Sequence, residues 1–203
     1  MLLSGALLHC ILVHFWFALD NSANMSTLYK LFDKYITKNA NVLDIGFGSC
    51  RDLLYLDNLG CNVYGIDETK KFVENAKEIF QTKESNFYQG SLPNLINNNS
   101  FNKKFDAIIC IAVWMHLDYA EYEESIRNIA KLLSTNATLI ISYSKGTRGI
   151  NDDRNFIEIN EGLLFRLLKK HNLKLIYKTY NEDSLSRNEL VWETIVLKYI
   201  DEN

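Results

Sequence analysis

The chain has 203 residues, 47% of them hydrophobic, with 22 basic and 25 acidic side chains. That length buries one full core and is too short for two enzyme-sized domains. The near balance of charge leaves no chain-wide basic field to hold a phosphate backbone, which argues against nucleic acid as a partner.

Residues 1–19, MLLSGALLHCILVHFWFAL, are almost uninterrupted apolar. The run could be a signal sequence, a membrane anchor or a buried helix. It lacks the positive start of a signal peptide, since no Lys or Arg precedes Lys30. At about 1.5 Å per residue it only just spans a hydrocarbon core of roughly 30 Å, without flanking basic anchors. We read 1–23 as an apolar N-terminal segment and 24–203 as a single domain, with Met25 a possible alternative start.

From Ser26, apolar Leu28, Leu31, Phe32, Tyr35 and Ile36 recur at three- and four-residue spacing, the pattern of a helix with one buried face. Asn41 to Ile45 is a short apolar strand ending in glycines, and Arg51 to Leu59 returns to helical period. The unit repeats. CNVYGID reads as a strand, Thr69 to Phe80 as a helix capped by Thr69, SNFYQG as a strand and FDAIICIAV as a fully buried strand. Tyr119 to Leu133 is helical and ATLIISYS is another strand. Such alternation implies a parallel sheet with helices on both faces. Glu161 to His171 is a last helix, after which LKLIYKTY and VWETIVLKYI are separated only by NEDSLSRNE. That loop is too short for a helical crossover, so these strands should pair antiparallel. The fold class is therefore α/β, Rossmann-like and doubly wound, with a mostly parallel seven-stranded sheet and an antiparallel C-terminal hairpin. NNNS at Asn97 to Ser100 is a surface loop. Cys10, Cys50, Cys61 and Cys110 share no CxxC spacing, and three of them fall in buried or motif positions, which fits a reducing, cytoplasmic compartment.

The chemistry concentrates in Val42 to Gly60, VLDIGFGSCRDLLYLDNLG. Gly46 and Gly48 follow a strand and open a helix, where the missing Cβ permits a sharp turn and close approach to a ligand. The dinucleotide fingerprint requires a third glycine where this chain has Arg51, which weakens a nicotinamide or flavin reading. The acid two residues before Gly46, Asp44, points elsewhere. About 20 residues further on, VYGID ends in Asp67, where a second strand presents a carboxylate able to accept from both hydroxyls of a ribose diol.

On these residues the chain resembles the class I S-adenosylmethionine-dependent methyltransferases, whose first motif runs apolar–Leu–Asp–x–Gly–x–Gly–x–Gly. Val42 to Gly48 match it, and Cys50 replaces the third glycine. The resemblance implies S-adenosyl-L-methionine as cofactor, with Asp44 near its amino-acid moiety, Gly46 and Gly48 beneath it, and Asp67 on the ribose. Cys50, Arg51, Glu68 and Ile111 complete the implied cofactor shell. The family's acid after the third strand, which meets the adenine amino group, is replaced here by Ser91, beside Leu92, which could pack on the adenine face. FDAIICIAVWMHL resembles the family's fourth strand and the loop facing the transferring methyl. There Trp114 could cover the sulfonium or substrate through its π face, and His116 is the best-placed general base. The loop lacks both an Asn/Asp-Pro-Pro-Tyr motif and a Pro-Cys nucleophile, which excludes base-amino and cytosine-carbon methyltransferases. Arg154, Phe156, Asp183 and Trp192 resemble the pattern of small bacterial methyltransferases near the tellurite-resistance enzymes, and Arg154 could hold an anionic substrate group or a surface ion pair.

The resemblance implies in-line methyl transfer to a small-molecule acceptor by a monomer or homodimer. An RNA or protein methyltransferase, a non-catalytic S-adenosylmethionine-binding protein and a nicotinamide oxidoreductase are the competing readings. His9, His14, His116 and His171 show no metal-ligand spacing.

Overall fold

The computed structural model describes residues 25–95, 103–146, 156–183 and 190–201. The expectations for residues 1–19, for the loop at 97–100 and for Arg154 fall outside them. Seven strands, β1 (Asn41–Ile45), β2 (Asn62–Asp67), β3 (Phe87–Gln89), β4 (Phe105–Ile111), β5 (Leu133–Lys145), β6 (Leu173–Glu182) and β7 (Val191–Tyr199), form one sheet in the order β3-β2-β1-β4-β5-β7-β6. The first five are mutually parallel where they pair. β7 runs antiparallel to both β5 and β6. The expected hairpin is present, and its second strand inserts between its first strand and the parallel sheet.

Among the described residues five helices cover the sheet: α1 (Ser26–Tyr35), α2 (Arg51–Asn58), α3 (Lys70–Ile79), α4 (Tyr122–Leu132) and α5 (Glu161–Lys170). Leu28 and Phe32 of α1, Leu53 and Leu56 of α2, and Val73 and Ala76 of α3 close one core. Ile126 and Ile129 of α4 and Leu164 and Leu167 of α5 close the other. Their three- and four-residue spacing puts each apolar set on one stripe, which is why these segments are helices that bury a single face. Truncating a fully buried ring such as Phe32 costs about 3–5 kcal/mol, through lost transfer energy and the cavity left behind.

Two local expectations change. Thr69 occupies the N-cap position of α3, but its side chain makes no cap hydrogen bond to the helix; its backbone amide instead donates to Asp67 Oδ1 at 2.8 Å. The helix expected from Tyr119 begins as a 3-10 turn at Tyr119–Glu121, and Leu133 is already extended. A capping box sets that start, the Asp118 amide donating to Glu121 Oε2 at 2.8 Å.

Candidate functional site at the carboxyl ends of the parallel strands

β1 delivers the chain into a turn where Gly46 has φ +77 and Gly48 φ +52. The Gly46 amide bonds Ile66 O at 2.7 Å, closing the turn onto β2. A Cβ on Gly46 would lie 2.4 Å from Val113 Cγ2, whereas one on Gly48 would meet nothing within 4 Å. Gly46 is therefore demanded by packing and conformation together. Gly48 turns its bare face to open space, as a cradle for a ligand requires. Cys50, at the third glycine position, is the N-cap of α2 and takes the left-handed conformation a glycine would take, with φ 66. Its thiol is buried in the core.

Asp67 ends β2 with 6% exposure. Its Oδ2 accepts from the Gly48 amide at 2.9 Å and its Oδ1 from the Thr69 amide. Burial raises its pKa above the usual aspartate value, and those two amides oppose the rise. The Thr69 side chain also donates to it; a carboxylate offers about four acceptor sites, so the group keeps capacity to accept from a diol. Asp44 is also buried, at 2% exposure. Glu68 and Ser91 are exposed, Leu92 is buried and Ile111 is half-buried. The Gly90 amide donates to Asp67 O at 3.0 Å, which brings Ser91 and Leu92 beside the end of β2.

The expected cofactor shell is therefore gathered at neighbouring strand ends, where open α/β sheets bind ligands. Sequence reasoning passed over Gly65 and Phe47. A Cβ on Gly65 would sit 2.5 Å from Phe47 Cδ1, so this glycine makes room for the ring that supports the loop from below. A glycine inside a strand was the signal available.

Arg51 forms a two-bond pair with Asp52, Nε to Oδ1 at 3.0 Å and Nη2 to Oδ2 at 3.1 Å. Tyr29 of α1 donates to the same Asp52 Oδ1 at 3.1 Å and stacks on Tyr55 with centroids 3.8 Å apart. Burial, helped by the Asp52 charge, raises the Tyr29 phenol pKa. This network ties α1 to the first turn of α2, directly behind the glycine loop.

On the other side of the loop, Ala112 adopts φ 62 and donates to Ser142 O at 2.8 Å. A left-handed alanine is strained, and it turns β4 sharply so that Val113 packs over Gly46. Trp114 does not present a face to a ligand. It is fully buried, packed on Tyr122 with centroids 5.5 Å apart, so the expectation of a substrate-covering indole is corrected to a core role. The 3-10 turn Trp114–His116 forces this result by pointing the indole inward and leaving the next polar side chain out.

His116 is exposed, its ring 4.8 Å from that of Phe156. The chain leading into α5 docks here. The Ile157 amide donates to Met115 O at 2.9 Å, and the Tyr119 hydroxyl donates to Glu158 O at 2.8 Å. Asp183 and Trp192 meet at the far edge of the sheet, Trp192 Nε1 donating to Asp183 Oδ1 at 2.8 Å.

Residues 43–141 match the family model described as a methyltransferase domain. A ubiquinone biosynthesis O-methyltransferase from Pelagibacter ubique is 28% identical over 160 residues, which are 68% of this chain and 63% of that protein. The chain thus spans less than two thirds of that relative's length.

Among solved structures, a 1,6-didemethyltoxoflavin-N1-methyltransferase from Burkholderia thailandensis, with 1,6-didemethyltoxoflavin and S-adenosylhomocysteine bound, superimposes with TM-score 0.70. It is 16% identical and covers 99% of this chain and 92% of its own. A TehB-like S-adenosylmethionine-dependent methyltransferase from Corynebacterium glutamicum gives TM-score 0.61 at 22% identity, over 82% of this chain and 84% of its own. Among the described residues no helix is long and apolar enough to cross a membrane. The strand order, the glycine turn and the family match agree: the chain has an α/β methyltransferase fold and is similar over residues 43–141 to the methyltransferase domain family.

Proposed function

We propose that the chain transfers the methyl group of S-adenosylmethionine to a small-molecule acceptor by in-line displacement. The observation that carries this reading is the joined Gly48–Asp67 pair, a ligand-facing bare backbone held against a buried carboxylate that keeps acceptor capacity. The cofactor would bring a methyl already activated on a sulfonium. The chain's part is to bind, align and exclude water, and good alignment can contribute roughly 7–11 kcal/mol.

In this reading Asp67 accepts from the ribose diol. Asp44, Gly46 and Gly48 lie along the amino-acid moiety. Ser91 and Leu92 meet the adenine, and Cys50, Arg51, Glu68 and Ile111 complete the shell. His116, exposed on the loop after β4, takes the proton of a hydroxyl acceptor. The O-methyltransferase relative supports hydroxyl compounds as the first class to screen. Three described cysteines, Cys50, Cys61 and Cys110, are buried and form no disulfide, which supports a cytoplasmic protein; we read it as a monomer or homodimer.

Calorimetric titration with S-adenosylmethionine and S-adenosylhomocysteine tests the reading directly. Micromolar binding by the wild type that disappears in Asp67→Ala supports it. Binding of NADH with none of S-adenosylhomocysteine would replace it with an oxidoreductase.

A further inference from the structure

A second charged cluster, which methyl transfer itself does not use, joins the carboxyl end of β5 to α5. At its centre Glu193 of β7 is fully buried. Its Oε1 accepts from the Tyr143 hydroxyl at 2.6 Å and pairs with Lys178 at 2.8 Å, and its Oε2 pairs with Lys145 at 2.8 Å. Lys145 also pairs closely with Glu161, the first residue of α5. Lys178 stands further from that carboxylate, at 3.8 Å. Tyr143 reaches it as well, at 3.3 Å.

The helix start is fixed a second time, because Asn160 Oδ1 caps α5 through the Leu163 amide at 3.0 Å. The residues immediately before it, 156–160, are those whose backbone holds Met115 and Tyr119 and whose Phe156 ring lies on His116. A continuous set of contacts therefore runs from the buried carboxylate through Lys145 and Glu161 to the His116 loop.

We infer that this cluster positions the acceptor side of the site: Lys145 and Glu161 hold segment 156–160, and with it His116, in register with the sheet. The inference rests on reading the loop after β4 as acceptor-facing. Glu161 and Lys145 are positioning residues, since neither lies in the glycine loop or on the Asp67 side. Two like-charged lysines share one buried carboxylate, and the surplus cation is matched by Glu161. The helix terminus is thereby drawn to the sheet by charge as well as by apolar packing.

The test follows two signals by NMR in the full chain, well below its unfolding temperature: hydrogen exchange of the Ile157 amide, and the His116 ring protons, which the neighbouring Phe156 ring shifts. Glu161→Ala cuts the tie to segment 156–160 and leaves Glu193 with both lysines, so the variant keeps its buried pairs. We expect Ile157 exchange to rise by roughly tenfold and the His116 ring shift to collapse, with S-adenosylhomocysteine affinity within about twofold of wild type. Glu161→Gln, which can still accept from Lys145, should restore most of both signals. Lys178→Met, which removes a cation from Glu193 but leaves the Lys145–Glu161 pair, should move neither. Unchanged signals in Glu161→Ala, or an equal effect from Lys178→Met, would overturn the inference. Absence of S-adenosylhomocysteine binding in the wild type would instead remove the methyltransferase reading, and the exchange result would still decide the mechanical coupling.

Discussion

The backbone amide of Gly48 donates to Asp67 Oδ2 at 2.9 Å, so the turn after β1 and the tip of β2 are held together by the carboxylate assigned to the ribose. Hydrogen bonds to a charged group contribute about 1.5–3 kcal/mol each. Asp67→Ala should therefore lower S-adenosylhomocysteine affinity by roughly 10²-fold or more, and Asp67→Asn, which keeps one acceptor, by less. Burial raises the Asp67 pKa, so its ionised form is lost at a higher pH than that of an ordinary aspartate. Affinity measured by calorimetry should fall as pH is lowered into the carboxylate range, and a flat profile would contradict the role.

Gly46→Ala places a methyl 2.4 Å from Val113 Cγ2 at φ +77. Strain and overlap together should destabilise the protein by at least about 2 kcal/mol in urea unfolding. Combining it with Val113→Ala should recover the overlap and leave the conformational part. Strict additivity of the two changes would show that the ring of contacts around Gly46 is looser than described.

Cys50 carries a conformation that disfavours a side chain by about 1 kcal/mol, against a buried thiol that contributes a similar amount. Cys50→Gly should leave stability within about 1 kcal/mol of wild type, and Cys50→Val, β-branched at positive φ, should lose more than about 2 kcal/mol. Thermal unfolding of the pair reads both. Loss of several kcal/mol in the glycine variant would mean that burial dominates.

Burial acts to raise the Glu193 pKa, but Lys145, Lys178 and Tyr143 outweigh it and bring it from 4.5 down to about 2. Folding thus favours the ionised form. The resulting stability is complete above the unfolded value and is lost as pH falls from about 4.5 toward 2. Glu193→Gln should be less stable than wild type at neutral pH and should lose less on acidification to about pH 3. An identical acid limb in the two proteins would show that other carboxylates govern the transition.

His116 separates two kinds of acceptor. With a hydroxyl compound, His116→Ala should reduce kcat by the order of 10²-fold. With a thiol or neutral amine, which needs no base, turnover should remain near wild type. Rate measurements on one acceptor of each kind decide whether the imidazole moves a proton.

The parallel half of the fold, and the gathering of the residues expected around the cofactor at its strand ends, were legible because their signals are local. VLDIGFG and VYGID each pack a strand, a turn and a ligand group into a few consecutive residues. Periodicity located all five described helices. Insertion of β7 between β5 and β6 was not legible, because a short connection specifies pairing but not which strand meets the parallel sheet. The Glu193 cluster was missed for a similar reason. Its members come from β5, α5, β6 and β7, and nothing near Glu193 in the sequence marks it as buried. Trp114 was misread because an aromatic residue after a strand is equally suited to a site and to a core. Only the 3-10 turn, set by backbone geometry, decides which way it faces.

The strand order also dictates a schedule. β6 is made before β7, yet among the described strands its one partner is β7, which lies between it and β5. On a ribosome, the first five strands can assemble as they emerge, each beside a neighbour already made. β6 must wait, its backbone donors and acceptors without a partner strand, until the strand that follows it is synthesised and slots in. Nascent chains stalled between these two strands should therefore be the species most dependent on chaperones.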